Sequence, residues 1–398
     1  MKVLQIVPSI SLVYGGPSQM VLGLAPALAK EGVEVTVLTT DSNGDTGQEP
    51  LDVPLNVPIQ QDGYNIIYFR CAPFRRYKFS LDLLNWLKTH CSGFDIAHIH
   101  ALFSPVSSAA AMVCRQQKLP YILRPLGTLD PADLQKKKQL KKLYVEIIER
   151  RNLAKAAAIH FTSEQEAKIS ARFGVSTRDL IIPLGVILPQ SLPQNSKSSM
   201  SNTLGIPEDV PWVLFMSRLD PKKGLNLLIP ALERLLESGH KFHFILSGAS
   251  PQDPDYEQKI KEQIANSSLK SHTTITGFVT GELKTSLLQA ADLFVLPSYY
   301  ENFGIAVAEA MVAGKPVVIS DQVHIWEQVR DSDSGWVGTT DVESLVGLLQ
   351  ESLQNPQECQ RRGVNAQNYA LENFSWDAIA KQMIQAYQEI KGCRGVGV

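Results

Sequence analysis

Short apolar runs recur along the chain, separated by longer stretches in which apolar residues return every third or fourth position. This alternation predicts parallel strands buried on both faces, with helices packed over them. In the first half the runs fall at 2–7, 33–38, 66–69, 96–99, 121–123, 158–161 and 180–182. Ser18 is placed to cap a helix that runs through Leu28 and closes at Gly32, so the chain opens as strand, helix, strand. A second series falls at 212–216, 242–246, 273–275, 293–296 and 317–319. Between the two series, PQSLPQNSKSSMSN (189–202) is nearly devoid of apolar residues and reads as a linker. The pattern predicts an α/β chain with a first domain over 1–188, a linker over 189–204 and a second domain over 205–374. Residues 343–392 read as helical with a break at Phe374-Ser375, and the last segment, 375–398, is expected to pack back on the first domain.

Composition narrows the function classes. A chain of 398 residues exceeds one typical core. The formal charge of −2 argues against nucleic acid as a partner, since such binding is dominated by phosphate attraction. Cys71, Cys91, Cys114, Cys359 and Cys393 show no metal-ligand spacing, which fits a reduced, cytoplasmic compartment. The amino terminus carries one lysine and an apolar run broken by Pro8 and then Gly15-Gly16, so it reads as a strand and not as a signal segment. No apolar run is long enough to span a bilayer, so membrane association, if any, is expected to be peripheral at the inner face.

Four stretches could carry chemistry. Gly15-Gly16 follows the first strand and precedes a helix, where glycines permit close approach to a phosphate; a plain tight turn is the alternative, because the spacing is not G-x-G-x-x-G. His100 ends a strand at the carboxyl edge of a sheet, where open α/β folds bind ligands, whereas His98 reads as structural. Ser217-Arg218-Leu-Asp-Pro-Lys-Lys223-Gly224 sets two cations on one loop before a helix, an arrangement suited to a diphosphate. Glu301 and Glu309 flank the start of a helix near Gly304, within a strand, loop, helix, strand unit over 293–319. A sugar nucleotide would engage both carboxylates, with Glu309 accepting from ribose hydroxyls while Glu301 and the backbone of Asn302 to Gly304 hold the sugar. The basic stretch over 135–155 predicts an amphipathic helix with Leu140, Leu143, Tyr144, Ile147 and Ile148 on one face, turned either to the core or, through 136–155, to anionic lipid. Asp253-Pro-Asp255 and Asp331-Ser-Asp333 read as loop decoration and not as metal ligands.

These residues resemble the family 4 glycosyltransferases, the retaining group with GT-B architecture. The carriers are Gly15-Gly16, HIHALFS (98–104), RPLGTLDP (124–131), SRLDPKKG (217–224), SGAS (247–250), TGFV (276–279) and PSYYENFGIAVAEAMVAGKPVV (297–318). The resemblance implies two facing Rossmann-like domains with parallel sheets, the acceptor bound mainly by the first and the donor by the second. It implies that Arg218 and Lys223 hold the diphosphate, Glu309 the ribose and Glu301 the donor sugar. It further implies that Gly15 and Gly16 approach the distal phosphate, that Ser217, Gly248, Asn302, Phe303, Gly304 and Ile305 shape the donor cradle, and that Phe278 and Val279 flank the base. His100 would lie beneath the reacting carbon. The catalytic set is then His100, Arg218, Lys223 and Glu301, with no metal and no cofactor beyond a UDP-, GDP- or ADP-sugar. The acceptor is expected to be a polysaccharide or lipid-linked glycan. Competing readings are a GT-B-like nucleotide-sugar epimerase, a Rossmann oxidoreductase, and a noncatalytic sugar-nucleotide-binding scaffold.

Overall fold

A computed structural model describes residues 1–14, 16–44, 48–72, 78–131, 134, 138–187 and 196–392. The chain divides into two compact units, Met1–Gly185 with Trp376–Val398, and Val186–Ser375.

The first unit holds β1 (Lys2–Ile6), β2 (Glu34–Thr40), β3 (Pro58–Gln61), β4 (Tyr64–Phe69), β5 (Ile96–His100), β6 (Tyr121–Arg124), β7 (Ala158–Phe161) and β8 (Asp179–Ile181), in the order β3-β4-β2-β1-β5-β6-β7-β8. Among the described residues, only the β3–β4 pair is antiparallel. The inner strands are largely buried because helices cover both faces, and the polar side chains they carry, among them Gln5, His98, His100, Arg124 and His160, are enclosed with them. The helix Gly16–Lys30 covers one face and ends at Gly32, whose φ of 82° suits glycine and lets Val33 N donate to the Leu28 carbonyl. It begins two residues before Ser18, so the expected Ser18 cap is corrected: Ser18 Oγ donates instead to the Ser11 carbonyl, 2.7 Å away. The carboxyl-terminal helix Trp376–Gly392 packs along this helix, placing Ile379, Met383 and Tyr387 in the same core as Val21, Leu24 and Leu28. Gly23 and Gly185 both abut the Trp376 indole, and a Cβ on either would lie 2.2 Å from it.

The second unit holds β9 (Trp212–Met216), β10 (His243–Ser247), β11 (Thr273–Gly277), β12 (Leu293–Leu296), β13 (Val317–Ser320) and β14 (Gly335–Gly338), all parallel, in the order β11-β10-β9-β12-β13-β14. This is the doubly wound order of a Rossmann fold.

Two further expectations change. Within 189–204, residues Ser196–Leu204 form a helix of the second unit, whereas the Ser- and Asn-rich composition suggests a linker. Tertiary partners supply what propensity lacks: Lys197 pairs with Asp292 at 2.7 Å, Met200 is buried, and Ser201 Oγ donates to the Ile206 carbonyl. In the basic stretch, residues 135–137 lie outside the described set, and the remainder is helix Lys138–Tyr144, a π turn Val145–Glu149, and helix Arg150–Lys155. The buried row is Val145, Glu149, Asn152 and Leu153, while Leu143 and Ile147 are exposed by 58% and 62%. The π turn adds a residue to the helical repeat and shifts the faces away from an ideal 3.6-residue reading.

Candidate functional site

In the second unit the strand order reverses between β9 and β12, so the loops leaving their carboxyl ends diverge and open a crevice. Those two loops are Ser217–Gly224 and Pro297–Gly304. Tyr299 N donates to the Lys222 carbonyl at 2.8 Å, and Gly224, at a φ of 76°, lies so close to Pro297 that a Cβ would fall 2.0 Å from its carbonyl oxygen. This approach seats Lys223, 7% exposed, in an ion pair with Glu301. Glu301 is held from behind, its N–H donating to the Gln322 carbonyl and its own carbonyl accepting from His324 N, at 3.0 Å each. Burial, and then the neighbouring Lys223, lower the Lys222 pKa. Arg218 is exposed on the same loop, its nearest polar partner Gln252 at 3.4 Å.

Gly304, at a φ of 83°, opens the helix Ile305–Val312, and Phe303 below it is buried edge-on against Phe374. Asn302 and Ile305 are half-buried at that turn. Glu309 lies one turn inside the helix and pairs with Lys284 at 2.6 Å. Lys284 is a residue the sequence reading missed; its one signal is a place in the first turn of the helix Gly281–Ala290, just after the TGFV segment. A third loop closes the group. Ser217 N donates to the Ser247 carbonyl, and Gly248 admits no side chain, since a Cβ would fall 1.9 Å from the Ser217 carbonyl oxygen. Phe278 is 76% exposed and Val279 is buried beside it. The structure therefore gathers the candidate donor residues of this unit around one strand edge, with the cations at its centre.

In the first unit the reversal lies between β1 and β5, and a cavity of about 360 Å³ sits at their carboxyl ends, lined by Pro8, Ser9, Tyr14, Ala101, Phe103 and Leu126 among others. Gly15 lies outside the described residues, and Gly16 is the first residue of its helix. Ala101, Phe103 and Leu126 all hold positive φ (66°, 59° and 58°), a strained backbone for side chains with a Cβ. The strain is pinned by two buried carboxylates. Glu149 accepts from Phe103 N at 3.2 Å and from Ser108 Oγ at 2.5 Å, and Glu166 accepts from Gly127 N at 3.1 Å and Thr162 N at 2.7 Å. Burial raises the Glu149 pKa. Neither was picked out from sequence, although Glu149 stands in a row with apolar Val145 and Leu153 at four-residue spacing, the signature of a buried polar position.

His100 is fully buried, with no ring surface open to a substrate. Its Nε2 bonds Gln5 Oε1 at 2.8 Å, its carbonyl accepts from Ser107 Oγ, and among the described residues its Nδ1 has no partner. So placed, its ring and carbonyl are held at the end of β5 by Gln5 and Ser107. His98 bonds the Tyr387 hydroxyl at 2.8 Å and faces His160 at 3.2 Å. Burial first, and then Arg124 and the neighbouring imidazoles, hold these three histidines below the ordinary range, His160 at about 3, so all three are neutral at pH 7. Among the described residues no group of three His, Cys, Asp or Glu is arranged to hold a metal. Asp253 caps a helix through Tyr256 N, and Asp333 pairs with Arg361 and Arg362. No helix among the described residues is long and apolar enough to cross a membrane.

The family described as glycosyl transferases group 1 matches residues 196–369, and the glycosyl transferase 4-like domain matches 15–185. The chain spans about half the length of several curated relatives it matches, among them the glycosyltransferase MJ1607 of Methanocaldococcus jannaschii, 30% identical over 199 residues and covering 50% of each chain. It is 26% identical over 403 residues to the D-inositol 3-phosphate glycosyltransferase of Nocardia farcinica, covering 96% of this chain and 88% of the relative. Among solved structures it is similar to Anabaena HepE, in complex with UDP and glucose, with a TM-score of 0.74, 20% identity, and coverage of 98% of this chain and 100% of that one.

Proposed function

Because the chain belongs to the group 1 glycosyltransferases, of the family 4 type with the GT-B fold, we propose that it transfers a sugar, with retention, from a nucleoside-diphosphate sugar to a glycan or lipid-linked acceptor. The observation that carries this reading is the Lys223–Glu301 pair at the β9/β12 strand edge, with Arg218 exposed beside it. Arg218 and Lys223 hold the diphosphate. As the anomeric bond breaks, negative charge grows on the leaving phosphate, and preorganised cations and helix N–H groups meet that charge without reorganising. Glu301, fixed by its backbone and by Lys223, takes the sugar hydroxyls. Glu309 takes the ribose hydroxyls, with Lys284 setting its orientation. The leaving phosphate accepts the acceptor proton on the face from which the acceptor attacks, so the chemistry asks for no protein nucleophile and no metal. The 360 Å³ cavity of the first unit suits the acceptor. That a solved structure of similar fold binds UDP supports the nucleotide class. Exposed Leu143 and Ile147, beside Lys142, Arg150 and Arg151, suit peripheral contact with anionic lipid.

The test is a screen of UDP-, GDP- and ADP-sugars that monitors nucleoside diphosphate release with and without crude lipid or polysaccharide acceptors. Acceptor-dependent release from one donor class is expected, with the product retaining the donor's anomeric configuration. Interconversion of the donor sugar without an acceptor would instead identify an epimerase.

A further inference from the structure

The amino-terminal edge of the second sheet, opposite the loops just described, carries a cavity of about 580 Å³. Pro211, Asp292 and Pro316, which precede β9, β12 and β13, form its floor, and the helices Ser196–Leu204 and Pro356–Asn373 supply walls. Its size lies within the range of about 300–1,000 Å³ usual for small-molecule sites.

Its charged lining is Lys197 and Lys315 with the carboxylates Glu208, Asp209 and Asp292, and the two lysines differ. Lys197 is satisfied, with Nζ 2.7 Å from Asp292 Oδ2 and 3.1 Å from the Val210 carbonyl. The same Asp292 oxygen also accepts from Trp212 N at 2.8 Å, so this carboxylate is already engaged twice. The Lys315 ammonium, half-buried, has neither a hydrogen bond nor an ion pair among the described residues; burial is the main force lowering its pKa, with Asp292 acting against it. A half-buried ammonium that makes no hydrogen bond or ion pair of its own is free to take an anion. The opposite wall is apolar, with Leu353, Pro356 and Val364. Cys359, also on the wall, bonds the Ser352 carbonyl, and burial pushes its thiol up to about 11, which leaves it an inert lining group.

We propose that this cavity binds a small organic anion, its phosphate or carboxylate set against Lys315 and its apolar body against Leu353 and Val364. The occupant would sit where the helix Ile305–Val312 ends, since Ala313, Gly314 and Lys315 all line the cavity. The inference does not depend on the reading of the donor loops.

Calorimetric titration of the full chain with phenyl phosphate, benzoate and benzyl alcohol tests it. One of the two anions should bind at a single saturable site and the alcohol should not, and which anion binds tells phosphate from carboxylate. Lys315→Met and Val364→Trp, the latter filling the cavity, should each weaken that binding at least tenfold, while Arg218→Ala leaves it unchanged. Should Val364→Trp fail to fold, Lys315→Met decides alone. No binding of either anion, binding insensitive to Lys315→Met, or binding removed by Arg218→Ala would each overturn the proposal.

Discussion

Lys223 and Glu301, 78 positions apart in sequence, form an ion pair in which the lysine side chain is 9% exposed and the carboxylate 21%. Such a pair is poor evidence of stability, because desolvating both charges offsets much of their attraction. It is better evidence of a cation and a carboxylate positioned for something that binds both. Lys223→Ala should lower kcat by about 10²–10³, the scale of losing one transition-state donor. It should also destabilise the fold by on the order of 3 kcal/mol, since Glu301 loses its partner. The double variant Lys223→Ala with Glu301→Gln should recover part of that stability in thermal melts and none of the activity; recovery of activity would mean that the pair is only structural.

Arg218 gives the cleaner separation. It is exposed and makes only a long contact to Gln252, so Arg218→Ala should leave the melting temperature unchanged. A charge-assisted contact to a diphosphate is worth about 1.5–3 kcal/mol, which converts to a loss of roughly 10- to 150-fold in kcat/KM. Steady-state kinetics with the donor found by the screen checks this, and a loss below about twofold would remove Arg218 from the site.

Glu309 and Lys284 predict a different kinetic signature. A carboxylate that grips the ribose contributes equally before and during reaction, so Glu309→Ala should raise the donor KM with kcat little changed. Lys284→Met should do the same more weakly, through the orientation of Glu309. A fall in kcat with KM unchanged would place Glu309 at the reacting centre instead.

The buried histidines make stability depend on pH. His98, His100 and His160 have folded pKa values below the unfolded value near 6.5, so between the two the unfolded chain binds more protons. Their contribution is complete above about 6.5 and is lost as pH falls toward the folded value, about 3 for His160. The melting temperature should drop from pH 7 to pH 5, and His160→Gln should flatten that drop. A slope unchanged in the variant would show that His160 is not among its causes.

The exposed apolar pair on the basic segment makes a further prediction. Leu143→Asp with Ile147→Asp should reduce recovery on vesicles containing anionic lipid, and wild-type recovery should fade with salt. Equal recovery on neutral and anionic vesicles would reject the contact.

Much of the fold was legible because apolar runs without alternation, bounded by turn residues, suit strands buried on both faces. The expected strands at 158–161, 212–216 and 293–296 coincide with β7, β9 and β12. What escaped notice had a physical reason in each case. β3 is an exposed antiparallel edge that begins with Pro58, and β14 begins with Gly335, which packs against the Val317 carbonyl and would place a Cβ 2.0 Å from it. The helix Ser196–Leu204 rests on Asp292, far away in sequence. In the site, the loops at 217–224 and 297–304 could be read locally because each carries its own charges. What Glu149 and Glu166 hold could not, since they accept from backbone N–H groups of other segments, even though the spacing of Glu149 with Val145 and Leu153 marks it as buried. His100 taught the reverse: its place at the end of β5 was legible, but the enclosure of its ring was not, because that depends on Gln5 and on Tyr387 from the far end of the chain.

The most direct measurement is calorimetric titration of uridine, guanosine and adenosine diphosphates into the wild-type chain, Arg218→Ala and Lys223→Ala. One diphosphate should bind the wild type saturably, and each substitution should weaken that binding at least tenfold. Equal affinity in all three proteins, or no binding of any diphosphate at millimolar concentration, would contradict the assignment of Arg218 and Lys223 as a diphosphate clamp.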